Sequence, residues 1–231
     1  AAGAPTLLSY DQVETLFHEF GHDLHGLLTQ VRYPRFAGTR GSPRDYTEFP
    51  AQFMEHYATQ PEVLAVYAKH AGTGEVIPQA LVDKLRAAST HNQGFKTTEY
   101  IAASLLDLSW HKLGPNEAAA VEDATLFEDG MMAAYGKPQE IEARYRSPYF
   151  AHVFAGGYSA GYYAYLWSEI LDADGFTAFK EAGDIFNPEL AQRLKENVYQ
   201  AGGLRDADVL YRQFRGQDPS IEPLLEIRGL D

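Results

Sequence analysis

The sequence predicts a mainly α-helical protein, a multi-helix domain with little β structure. Three observations carry this. Apolar side chains recur at intervals of three and four over long stretches, the period of a helix with one buried face. Helix-starting residues, such as Ser9, Asp45 and Pro61, stand at the head of those stretches. Alternating apolar and polar runs, the mark of half-buried strands, are scarce.

Ser9-Tyr10-Asp11 can cap a first helix running to about Val31, with Val13, Leu16, Phe17, Phe20, Leu24, Leu27 and Leu28 at helical spacing. The segment 32-RYPRFAGTRGSPRD-45 breaks it with two Pro and two Gly. Within it Tyr33–Thr39 is the best strand signal, a short extended edge. Asp45 can cap a second helix to about Thr59, and Pro61 opens a third to about His70. Further helices are expected at 78–91, 95–113, 115–135, 157–172, 174–182, 187–200 and 206–215. The Gly and Pro breaks at 72–78, 136–138 and 216–223 are too short for flexible linkers, so residues 1–231 read as a single domain.

Of the 231 residues 45% are apolar and 13% aromatic, enough to bury a core. A net charge of −13 argues against nucleic acid or an anionic membrane as the main partner. With no cysteine, disulfides, thiolate ligands and thiolate nucleophiles are excluded. A cytoplasmic location is expected, and a periplasmic one also fits. No apolar run approaches the roughly 18 residues of a membrane span. The start, AAGAPTLLSYDQ, lacks the basic-then-apolar pattern of a signal peptide and has no Met, so the chain reads as a fragment or a processed piece.

His18-Glu19-Phe20-Gly21-His22 fits H-E-x-x-H. Residues four apart share a helical face, so both imidazoles can reach one ion. Glu19, one step round, can act on a water without being a ligand. Five residues also match by chance. A catalytic zinc of this type needs a third protein ligand and an open position. Glu48 on the next helix is the candidate, with Pro50 just after it marking an early helical position. Glu55, seven further on, shares its face and can accept a hydrogen bond from a ligand histidine. His25 reads as a packing residue, and Glu14 as a supporting carboxylate.

Further along, GGYSAGYYAYLW places Tyr158, Tyr162 and Tyr165 at spacings of four and three, one helical face behind the flexible Gly156-Gly157 pair. Alone, such a block is most simply core packing. Tyr163 and Trp167 fall off that face and read as packing. In the 36–45 loop, Gly38 and Gly41 allow close backbone approach, and Phe36–Thr39 can pair with a peptide as an edge strand. Arg40 and Arg44 can meet a substrate carboxylate or pair with Asp45. The run 172-DADG-175 imitates the start of a calcium loop, but its twelfth position is Gly183, so that site is rejected.

Three stretches, FHEFGHDLHGLL, FAGTRGSPRDYTEFPAQFMEHYA and FAHVFAGGYSAGYYAYLWSEIL, resemble in order and spacing the thimet oligopeptidase and peptidyl-dipeptidase family of zinc metallopeptidases. The third looks most like the bacterial peptidyl-dipeptidase (Dcp) branch. The resemblance implies one Zn2+ ion held by His18, His22 and Glu48, with Glu19 as general base. It implies that His152, Tyr158, Tyr162 and Tyr165 contact substrate and stabilise the oxyanion. A donor aimed at that oxyanion contributes about 3–4 kcal/mol. The family has two mainly helical halves flanking a channel; this chain matches the C-terminal catalytic part, so the N-terminal half is a missing partner. The implied activity is release of C-terminal dipeptides from short peptides. An oligopeptidase cutting internal bonds, and a fragment that binds peptide without catalysis, are the alternatives. Manganese or cobalt suits the same ligands.

Overall fold

A computed structural model describes residues 7–230; residues 1–6 of the opening segment and residue 231 lie outside the described part. The chain separates into two compact units, 7–91 with 166–229, and 92–165 with Leu230. The fold is mainly α, and the β pairing among the described residues is an isolated bridge between Lys69 and Val76. No described helix is long and apolar enough to cross a membrane.

The first unit opens with α1 (Tyr10–Leu27), α2 (Gly38–Gly41), α3 (Phe49–Ala58), α4 (Pro61–Tyr67) and α5 (Gln79–Ser89). Helix α1 starts where Ser9 and Gln12 form a capping box: Ser9 Oγ accepts from the Gln12 N–H (3.3 Å), and Gln12 Oε1 accepts from the Ser9 N–H (2.9 Å). It ends four residues before Val31, because the Gln30 N–H turns away to the Gln200 carbonyl (3.1 Å). The expected edge strand at 33–39 is absent. Pro34 starts a 3-10 turn to Phe36, and α2 follows with Gly38 at φ +51°. The Phe36 carbonyl accepts from the Gly203 N–H (2.8 Å), so it faces the protein interior, not a passing peptide. Asp45 lies in a second 3-10 turn, Arg44–Tyr46, and does not cap. Helix α3 begins instead at Phe49, with Glu48 as its cap residue and Pro50 in the first turn, where no N–H is needed.

The second unit holds α6 (Gln93–His111), α7 (Pro115–Ala119), α8 (Ala124–Ala134) and α9 (Ala151–Phe154). The single helix expected at 115–135 is two, since Asp123 turns its carboxylate onto the N–H groups of Thr125 (2.7 Å) and Leu126 (3.2 Å) and starts α8 afresh. Leu106, Ala102, Met132 and Ala143 form the α6–α8 core. Buried Glu128 accepts from the Ser147 N–H (2.9 Å) and hydroxyl (3.0 Å) and pairs with Arg146, fixing the approach to α9.

The chain then returns through α10 (Ala164–Glu181), α11 (Pro188–Leu194), α12 (Ala207–Arg215) and α13 (Glu222–Arg228). Residues 172–175 lie inside α10, where two helices were expected. Gly175 lies within it where the Phe214 ring comes to 3.0 Å from the position of a Cβ, so only a residue without a side chain fits. A π-helical turn, Lys195–Tyr199, continues α11. Helix α13, with Pro223 in its first turn, begins at the end of the 216–223 break and was not expected. Phe49 and Phe53 from α3, Phe176 and Phe179 from α10, and Tyr211 and Phe214 from α12 make the core of the first unit. Each such ring contributes roughly 1.5–3 kcal/mol on burial, so this cluster more than helix propensity holds α3 in place.

Candidate metal centre

His18, Gly21, His22 and His25 lie on one side of α1, facing α3. A Cβ on Gly21 would stand 2.6 Å from the Ala51 Cα and 2.8 Å from the Pro50 oxygen. Backbone thus meets backbone, and the first turn of α3 brings Glu48 against the imidazoles. Glu48 Oε2 is 3.4 Å from His18 Nε2 and 3.3 Å from His22 Nε2, and the carboxylate is buried, at 3% exposure for the residue. The three donor atoms all lie within 4.8 Å of one another. Ligand bonds of about 2.0–2.1 Å in a tetrahedron give donor–donor edges of about 3.3–3.4 Å. A divalent cation fits this donor set.

Behind His18, Glu55 Oε1 accepts from Nδ1 at 2.6 Å. That bond fixes Nδ1 as a protonated nitrogen and leaves Nε2 as the one turned to Glu48. Burial works to lower the His18 pKa, but hydrogen bonds and charge from Glu48 and Glu55 override it and push it up to about 10. Two carboxylates crowding one imidazole make a site that attracts positive charge. The rings of His18 and His22 meet edge to face at 4.8 Å, and His22 Nδ1 is buried with no hydrogen-bond partner. Glu19 points from the exposed side of the same turn. Burial, then the charge of Glu55, raises the Glu14 pKa, so Glu14 belongs to the electrostatic surroundings of Glu55.

His25 is a core residue, 0% exposed, edge-on to Tyr199 at 6.4 Å. Burial and the nearby His22 push its pKa down to about 4, and neither ring nitrogen has a hydrogen-bond partner. The apolar residues of α1 divide. Leu24 and Leu28 pack on the core, whereas Leu16, Phe20 and Leu27 are exposed on the side opposite the histidines. Gly38 is buried, and the close approach it permits is to Gly26 and the His25 carbonyl, 3.4 Å from where its Cβ would be. Arg40 and Arg44 are exposed.

In the second unit, residues 155–163 form turns and bends, not the expected helix, so Tyr158, Tyr162 and Tyr165 do not share a helical face. Their rings nevertheless gather. Tyr158 stacks on Tyr165 at 5.3 Å, Tyr162 meets Tyr165 at 5.5 Å, and His152 stands 5.6 Å from Tyr162, 6.2 Å from Tyr158 and 6.4 Å from Tyr165. Burial pushes the Tyr162 phenol up. Tyr163 and Trp167, expected to pack, are exposed.

The model of peptidase family M3 matches residues 1–230. The chain belongs to peptidase family M3. Within the family it is 47% identical, over its whole length, to a dipeptidyl carboxypeptidase of Escherichia coli and 45% identical, over 99% of its length, to one of Salmonella typhimurium. It is 39% identical, over 99% of its length, to oligopeptidase A of Salmonella typhimurium. The chain spans about a third of the length of these family members: 34%, 33% and 33%.

Two buried acids next to the predicted site residues were not read as part of the site. Asp172 of α10 lies 2.5 Å from His56 Nε2, next in chain to Glu55, and burial pushes its carboxyl well above the usual range. Asp107 of α6 is hydrogen-bonded to the tyrosine-bearing turn.

Proposed function

We propose that this chain is the zinc-binding catalytic part of a longer peptidase that releases dipeptides from the C-termini of short peptides. The convergence of His18, His22 and Glu48, with Glu19 on the same turn as both histidines, carries the reading. The identity to two dipeptidyl carboxypeptidases supports the specificity. Bound by His18, His22 and Glu48, a zinc ion would supply Lewis acidity for the attack of water on a peptide carbonyl. Glu55 keeps His18 in the ligating tautomer. Glu19 takes a proton from the attacking water and passes it to the leaving amine. His152 and Tyr165 donate hydrogen bonds to the oxyanion, while Tyr158 and Tyr162 contact the peptide.

The test compares a peptide with a free C-terminus and the same peptide blocked, with zinc content measured by mass spectrometry. One zinc per chain and loss of a dipeptide from the free peptide alone are expected. Glu19→Gln keeps the zinc and abolishes cleavage. The 39% identity to oligopeptidase A favours a second reading, internal cleavage, and hydrolysis of the blocked peptide would establish it over the first.

A further inference from the structure

The turn that carries the tyrosines contains a residue in the left-handed region, Ala160 at φ +53°. A side chain costs free energy there and persists only where its surroundings hold it. Helix α6 supplies that hold. Asp107 is 0% exposed, and its two oxygens divide the work. Oδ1 accepts from the Ala160 N–H and Oδ2 from the Tyr162 N–H, each at 2.9 Å. One helical face of α6 repeats the contact. Tyr100, seven residues earlier, donates its hydroxyl to the Tyr162 carbonyl. His111, four residues later, brings Nδ1 within 2.7 Å of Asp107 Oδ1. The two amides flank Gly161, so they fix the peptide that separates Tyr158 from Tyr162 and Tyr165.

We propose that Asp107 is a positioning residue for the tyrosine turn. It clamps the backbone at 160 and 162, and the rings of Tyr158, Tyr162, Tyr165 and His152 converge because of that clamp. The chemistry explains why a carboxylate stands here. Two N–H donors need two acceptor oxygens, and an amide offers one oxygen plus a donor that faces an N–H. Bonds to an ionised acceptor are also stronger than neutral ones. The functional half of the proposal rests on the peptidase reading; the clamp itself does not.

Asp107→Asn in the full chain tests both. Hydrogen exchange at the amides of Ala160 and Tyr162 is expected to quicken. With peptide, kcat is expected to fall about 100-fold with KM little changed, as for a displaced donor at a reacting centre. Leu106→Ala, a core truncation on the same helix, lowers Tm but keeps kcat. Retention of kcat in Asp107→Asn, or an equal loss in Leu106→Ala, would overturn the positioning role. Should the parent chain cleave no peptide, the peptidase reading fails, and exchange alone decides the clamp: unchanged protection in Asp107→Asn overturns it. Should Asp107→Asn not fold, exchange in the parent chain decides: protection of both amides supports the clamp, and exchange of either at the rate of an exposed amide rejects it.

Discussion

Gly21→Ala is the sharpest perturbation of the metal centre. The new methyl carbon would stand 2.6 Å from the Ala51 Cα and 2.8 Å from the Pro50 oxygen, both backbone atoms that no rotamer can move aside. To reach ordinary van der Waals contact, α3 must back away from α1 by about 1 Å. Glu48 travels with α3, whereas His18 and His22 stay with α1. The 3.3 and 3.4 Å spacings to Glu48 then open beyond the roughly ±0.2 Å that ligand distances tolerate. Overpacking alone is expected to cost about 1–3 kcal/mol of stability. Zinc affinity, measured by competition with a chromophoric chelator, should fall by at least about tenfold, which corresponds to about 1.4 kcal/mol. Urea denaturation of the metal-free chain gives the stability term separately. A Gly21→Ala chain that matches the parent in both measurements would refute the claim that backbone contact at this residue sets the ligand geometry.

Three further outcomes follow from the geometry. Glu55→Gln removes the charged acceptor behind His18 and should weaken zinc binding about 10–100-fold in the same competition assay; unchanged affinity would remove Glu55 from the site. His25 is held neutral by burial, with its pKa down at about 4, below that of the unfolded chain. Its contribution is therefore complete above the unfolded pKa of about 6.5 and is lost as pH falls from there toward 4, about 3 kcal/mol in all. His25→Leu should remove that share of the acid sensitivity, read as the parent-minus-variant difference in urea stability at pH 7 and pH 4.5; a constant difference would sink the assignment. Tyr165→Phe should keep the zinc and lower kcat about 10²–10³-fold, and an unaffected kcat would leave Tyr165 a packing residue.

The two histidines were legible because spacing of four on a helix is a local fact, and Ser9 caps that helix at its start. Glu48 and Glu55 could be read for a similar reason: Pro50 marks where α3 begins. What remained hidden depends on distant partners. Leu16, Phe20 and Leu27 keep the same helical period as Leu24 and Leu28, and only the approach of α3 at Gly21 decides which side is buried. The 33–39 segment has the side chains of a strand, yet Pro34 and the bond from Gly203 to Phe36 coil it. The tyrosines were read on a helical face that does not exist there, and the family resemblance alone tied them to the site. Their rings gather because the chain turns at Ala160, and the residue holding that turn is more than fifty positions away. Asp107 bonds to backbone amides, which carry no signature in a sequence.

The first unit is made from two separated stretches of chain, with residues 92–165 of the second unit between them. His18, His22 and Glu48 all belong to the earlier stretch, but the rings that press α3 into place, Phe176, Tyr211 and Phe214, belong to the later one. As the chain leaves the ribosome, the three candidate donors emerge long before the packing that aligns them. Closing so large a loop is entropically costly and slow, so the donor triangle forms among the last features of the fold. Its integrity then depends on residues far from any ligand. Removal of α12 and α13 would be expected to release the ion while leaving every donor atom in the chain.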